Sequence, residues 1–234
     1  LMSFAGLPTV LFTDVPSPAE LERFAHCRAI GIAGVARSRS PAWMDAELPR
    51  VFQALAGLGA PISHYKTCST FDSAPHVGSI GRAIDLAVPE LGGHWHPLLV
   101  AAPAIQRYQL FGNLFAVVDG QGYRLDRHPT MAYHPVTPMH EADVRVHLAE
   151  QTARPIGLVD YLALTGGQAN AALADARAAG AEIVAIDVID EASLAAAGRL
   201  IWENRAERLF AVGSQGVEYA LLAHWRAAGL ICDP

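Results

Sequence analysis

Short apolar runs rich in Val, Ile and Leu alternate along this chain with longer, alanine- and leucine-rich amphipathic stretches, and that alternation constrains the fold most. Strands are predicted over residues 9–13, 29–34, 61–66, 97–101, 155–160, 182–188 and 208–212, with helices between most of them. Apolar strands separated by helices are the pattern of βαβ units, whose parallel strands are buried on both faces. The expected fold class is α/β: a three-layer α/β/α arrangement around a mostly parallel, Rossmann-like sheet, forming a single domain over residues 1–234. At 52% hydrophobic residues, a chain of this length can bury a substantial core.

Local signals punctuate the pattern. "SPAELERFA" places Ser17 at the N-cap, Pro18 at the first helical position and Glu20 three residues after the cap, a capping box. "SPAWMDAELPRVFQALAGLG" opens the same way at Ser40 and Pro41, with a kink expected at Pro49 and an end at Gly57 or Gly59. Residues 103–140 break the rhythm with aromatics, prolines and turn formers; "LFAVVDGQGYRL" reads as a small β-hairpin insertion with "DGQG" as its turn. A helix is expected to resume from the cap Thr137 and Pro138. The opening "LMSFAGLP" reads as the last turns of a helix, and "LLAHWRAAGLICDP" as a helix followed by the beginning of a strand.

Charged residues make up 17% of the chain, the net charge is -6, and no long basic run occurs, which excludes the electrostatic footprint of a nucleic-acid binder. Three cysteines without CxxC spacing argue against a disulfide framework or a cysteine zinc site and fit a cytoplasmic location. No apolar run reaches the roughly 18 to 20 residues of a membrane span. A small-molecule or protein partner is expected instead.

In open α/β sheets, ligands bind beyond the carboxyl ends of the strands. Four loops there carry polar groups: "GVARSRSP" at 34–41, "KTCSTFDS" at 66–73, "APAIQRYQLFGN" at 102–113 and "VGSQGVEYA" at 212–220. Lys66 ends an apolar strand, and Ser69, Thr70, Asp72 and Ser73 follow before a helix begins near Ser79; free N–H groups at that helix start would suit an anion or a polyol. The alternative is that Ser73 or Ser79 merely caps the helix and Asp72 turns the chain. Arg37, Arg39, Arg107 and Arg127 offer guanidinium forks for a carboxylate or phosphate. Cys68 near Lys66 allows a nucleophile, and His94, His96, His128, His134 and His140 raise a zinc site, although "GGHWHP" reads more simply as a loop with Trp95 packed inward. "GIAGVA" and "GSIGRA" are not GxGxxG, and GxxxxGK[ST] is absent, so nucleotide binding by these elements has little support.

"KTCSTFDSAPHVGSIGRAID", "APAIQRYQLFGNLFA", "RLDRHPTMAYHPVTPMHEADVRVHLAEQT" and "VGSQGVEYAL" resemble the four-carbon acid sugar kinase family over nearly the whole chain. The CSTFDS form is similar to the 3-oxo-tetronate kinase branch. The resemblance implies phosphorylation of threonate, erythronate or their oxo derivatives with ATP and Mg2+ by a protein of two α/β domains, of which this chain resembles the amino-terminal, sugar-acid-binding one. The resemblance leads to the expectation that this chain lacks the family's opening strand and DDFTG-like loop, which would precede Leu1, and its carboxyl-terminal nucleotide-binding domain.

By position, the family's substrate arginine falls on Arg37 and its substrate-binding strand end on Lys66 through Ser73. The resemblance implies that Arg37 and Lys66 neutralise the acid's carboxylate, that Ser69, Thr70 and Asp72 bind hydroxyls with Asp72 as the catalytic group, and that Ser73 and Arg107 complete the substrate site. The expectation is a substrate-binding half that binds without turning over, holds neither ATP nor Mg2+ tightly, and partners a sugar acid and the nucleotide-binding domain, with a homodimer open to it. The alternatives are a non-catalytic or effector-like module that keeps the fold, and a hydrolase using Cys68 and the histidines.

Overall fold

In the computed structural model, which describes residues 1–232, apolar strands and amphipathic helices alternate as expected. The order is β1 (Thr9–Phe12), α1 (Pro18–Arg23), β2 (Ala29–Ile32), α2 (Pro41–Gly57), β3 (Ile62–Lys66), α3 (Ile80–Leu91) and β4 (His96–Leu99). There follow β5 (Arg107–Leu110), β6 (Asn113–Val118), β7 (Gln121–Arg124) and α4 (Val144–Ala149). The chain then runs through β8 (Ile156–Val159), α5 (Tyr161–Thr165), α6 (Ala169–Ala178), β9 (Ile183–Ile186), α7 (Glu191–Glu203), β10 (Leu209–Gly213) and α8 (Gly216–Ala227).

The main sheet is five parallel strands in the order β3-β10-β4-β9-β8. Its inner strands β10, β4 and β9 are buried along their whole length because both faces are covered. Phe210, Val212, Leu98 and Ile183 pack with Met44, Phe52, Ile84 and Ala87 of α2 and α3. Leu209, Ala211, Leu99 and Val184 pack with Leu194, Ile201, Val217 and Leu221 of α7 and α8. Residues adjacent in β10 thus enter opposite cores, as the strand's period of two requires. Burial of each Val, Leu, Ile, Met or Phe side chain among these contributes about 1.5–3 kcal/mol.

Departures from the sequence reading are local. The first two strands do not join the main sheet but pair in parallel as a separate two-stranded one. The hairpin gains a third strand: β5, β6 and β7 form an antiparallel sheet whose inner side, including Leu114 and Ala116, packs on the α2–α3 core. Only Asp119 and Gly120 form the β6–β7 turn, both at positive φ, while Gln121 and Gly122 are already in β7. Helix α2 runs unbroken through Pro49. The capping box at Ser17 and Glu20 forms as expected.

The helix expected from Thr137 starts instead at Val144, capped by Asp143, because the Thr137 hydroxyl is engaged elsewhere. The opening residues form a single 3-10 turn, Ser3–Ala5, closed by Gly6. Beyond α8 the chain turns and forms no strand through Cys232; Asp233 and Pro234, the remainder of the strand expected there, lie outside the described residues.

Candidate functional site

Three segments far apart in sequence meet at the carboxyl edge of the sheets. Beyond β2, a 3-10 turn over Ala36–Ser38 presents Arg37. Beyond β3, residues 67–79 fold back over the strand end, and the N–H of Gly78 donates to the Arg39 carbonyl at 2.8 Å. At Gly78 the φ is +61°, and an added Cβ would stand 2.3 Å from the Arg37 carbonyl oxygen, so a glycine is what lets the two loops close. The third segment, residues 125–143, returns from β7 towards α4 and brings Thr137.

Asp72 is the point of convergence. Its side chain is 1% exposed, yet both oxygens are occupied. Oδ1 accepts the Thr70 hydroxyl at 2.6 Å and Arg37 Nη2 at 3.1 Å; Oδ2 accepts Arg37 Nη2 at 2.8 Å and the Thr137 hydroxyl at 2.9 Å. Burial pushes the Asp72 carboxyl up, but the hydrogen bonds from Thr70, Arg37 and Thr137, with the Arg37 charge, outweigh it and hold the group below its ordinary value of 3.8. Desolvation likewise opposes the charge on Arg37, and Asp72 overcomes it, so the guanidinium is held still more firmly charged.

The arginine itself is 60% exposed. Only Nη2 meets Asp72, and the guanidinium also lies beside the Cys68 sulfur, which adds to the pull that keeps it charged. A buried carboxylate thus aims an open guanidinium edge outwards, suited to a carboxylate or phosphate.

Because the folded-state value of Asp72 is depressed, its contribution to stability is present above the unfolded value of 3.8 and is lost as pH falls through the lower folded one. The stability gap between the native chain and Asp72→Asn is therefore expected to be widest near neutral pH and to close in acid below 3.8, checked by denaturant melts of both across that range. A gap that stays constant on acidification contradicts this.

The other expected site residues divide. Lys66 is exposed at the end of β3, beside Gly213 of β10, and lies near the Glu218 carboxylate. Ser69 is largely buried, and its hydroxyl makes no hydrogen bond among the described residues. Ser73 faces inward: 2% exposed, its hydroxyl meets His147 Nε2 at 3.0 Å and receives Gln151 Nε2 at 2.8 Å. The start of α3, expected to offer free N–H groups, is closed by the protein: Ile80 N–H donates to Gln151 Oε1 and Arg82 N–H to Ser79 Oγ, so Ser79 is the cap. Arg107 folds back onto the carbonyls of Ile105 and Gln106. Arg39 lies over the Trp43 ring and Arg127 pairs with Asp126, which leaves Arg37 as the arginine at the cluster.

The competing chemistries find no support in geometry. The Cys68 sulfur lies 3.0 Å from the Thr70 hydroxyl, and no histidine hydrogen-bonds it among the described residues. Trp95 is buried, its indole N–H donates to the Asn204 carbonyl, and His96 meets the Phe210 carbonyl. No group of three or more His, Cys, Asp or Glu among the described residues is arranged to hold a metal ion.

At the end of β9, Asp187 is fully buried and accepts the backbone N–H groups of Phe111, Gly112 and Tyr161, together with the Gln109 amide. Burial pushes its carboxyl up despite these donors. Thr137, His147, Gln151 and Asp187 were not among the candidate residues; Thr137 lies in one of the unusual strings, "HPVTPM", but its partner is 65 residues away.

Fold and cluster together define a Rossmann-like domain that presents an ion-paired arginine and nearby hydroxyls beyond its strand ends. Residues 1–221 match the family described as "Sugar-binding N-terminal domain", and the chain belongs to that family. It is 58% identical over 230 residues to a 3-oxo-isoapionate kinase from Paraburkholderia graminis, covering 98% of this chain and 49% of that protein. A 3-oxo-tetronate kinase from Pseudomonas fluorescens is 29% identical, over 97% of this chain and 51% of the relative. A solved Haemophilus influenzae protein of family DUF1537 superposes with a TM-score of 0.79 at 26% identity, over 95% of this chain and 51% of that one. The chain thus spans about half the length of the curated relatives it matches.

Proposed function

We propose that this chain is the acid-binding half of an ATP-dependent kinase whose substrate is a 3-oxo sugar acid of the kind named for its relatives. The observation that carries this reading is the exposed Arg37 fork held by buried Asp72. Arg37 receives the substrate carboxylate, Lys66 adds a second positive charge, and the hydroxyls of Ser69 and Thr70 meet those of the sugar acid. In this reading Asp72 positions Arg37 instead of reacting, since its side chain is 1% exposed and both its oxygens already accept hydrogen bonds. Ser73 braces the loop from beneath, and Arg107 lies outside the binding set.

Phosphoryl transfer rests on positioning and on electrostatic stabilisation by a metal and cations. Among the described residues no three or more His, Cys, Asp or Glu gather as a metal site, and the oxygens of Asp72 are taken by its partners. ATP and Mg2+ belong, in this reading, to the other half of such a kinase.

A thermal-shift series with 3-oxo-isoapionate, 3-oxo-tetronate, threonate and erythronate, each with and without Mg2+-ATP, tests the reading. At an acid concentration one hundred times its Kd, stabilisation of ~2.7 kcal/mol and a rise of several degrees in Tm are expected. Mg2+-ATP alone is expected to do nothing. A Tm that moves with nucleotide and with no acid overturns the assignment.

A further inference from the structure

We infer that Thr137 is a positioning residue for the acid-binding arginine, acting through Asp72; the inference rests on the reading of Arg37 given above. Thr137 is 4% exposed, and its hydroxyl donates to Asp72 Oδ2 at 2.9 Å. It reaches Asp72 from a segment with no helix or sheet pairing of its own at that point. That segment is fixed on either side: Met131 and Met139 are buried in the core, and Met139 N–H donates to the Met131 carbonyl at 2.9 Å. Between them, the backbone N–H of Thr137 donates to His134 Nδ1 at 3.0 Å, which orients the residue towards Asp72.

Oxygen by oxygen, the arrangement is complete. Thr70 holds Oδ1, Thr137 holds Oδ2, and Arg37 Nη2 straddles both. With a hydroxyl on each side, the carboxylate plane cannot rotate without breaking a charge-assisted hydrogen bond. The guanidinium resting on that plane therefore points in one direction. If the Thr137 hydroxyl is absent, Oδ2 is left with a single partner in a site closed to solvent, and the carboxylate turns to find another, carrying Arg37 with it.

The test compares Thr137→Val, which keeps the shape and removes the hydroxyl, with Thr137→Ser, which restores it. Calorimetric titration of each chain with 3-oxo-isoapionate or 3-oxo-tetronate is expected to show about tenfold weaker binding for T137V and recovery of most of the affinity in T137S. In a full-length kinase carrying the same substitutions, the loss is expected in KM, with kcat nearly unchanged.

An independent readout needs no ligand: carbon-13 NMR titration of the Asp72 carboxyl, which is expected to protonate at higher pH in T137V than in the native chain. T137V binding as tightly as the native chain, T137S falling as far as T137V, or an Asp72 titration that does not move each overturns the inference. Failure of the native chain to bind any acid, with the Asp72 titration moved as expected, counts against the sugar-acid reading alone and leaves the coupling of Thr137 to Asp72 and Arg37 standing.

Discussion

Arg37→Ala is expected to weaken binding of the 3-oxo sugar acid about 100-fold, ~2.7 kcal/mol, the value of a forked, charge-assisted contact with a carboxylate. Arg37→Lys is expected to recover only part of this, because an ammonium keeps the charge without the fork. Stability should also fall. The substitution leaves Asp72, 1% exposed, with two hydroxyl donors and no counter-charge; since the arginine is 60% exposed, the cost is nearer ~1–2 kcal/mol than that of breaking a fully buried pair. Arg39→Ala supplies the contrast, because Arg39 lies over Trp43 and away from Asp72. Calorimetry on the three variants checks the prediction, and unchanged affinity in R37A removes Arg37 from the site.

The second large effect concerns the sheet beneath the site. Gly213 is the last residue of β10 and lies between Lys66 of β3 and Leu99 of β4. Its φ is +150°, and an added Cβ would stand 1.9 Å from the Leu99 carbonyl oxygen, a backbone atom held within the central strand. Gly213→Ala is therefore expected to cost about 4 kcal/mol, combining backbone strain with overpacking. For a domain of this size that corresponds to a fall of roughly 10 °C in Tm. Denaturant melts give the figure directly, and a loss below about 1 kcal/mol would show that the two strands can part without difficulty.

Much of the fold was legible because its signals are local. The strands β8, β9 and β10 of the main sheet are short apolar runs, the capping box at Ser17 and Glu20 marks α1, and "DG" marks the β6–β7 turn. Strand β5 escaped because "RYQL" carries Gln109, a polar side chain that turns out to be fully buried against Asp187 and the Ile186 carbonyl. Thr137 misled for a related reason: a threonine before a proline has the look of a helix cap, and only the fold reveals a carboxylate within its reach.

The site was legible in part. Arg37 and Asp72 were both singled out, but their pairing spans 35 residues and depends on how two separate sheets come together. No spacing rule reports that. The same holds for Gln151, which closes the start of α3 from 71 residues away and removes an anion site that the sequence alone had suggested. Side chains that act on distant backbone leave little periodic trace.

The buried carboxylate of Asp187 bears on how this domain can move. Its oxygens grip the N–H groups of Phe111 and Gly112 in the β5–β6 turn, and that of Tyr161 at the start of α5. Lifting the hairpin would strip those partners from a group with no water to replace them, at a cost of several kcal/mol. The small antiparallel sheet is consequently a bracket bolted to the ends of the main strands and not a flap.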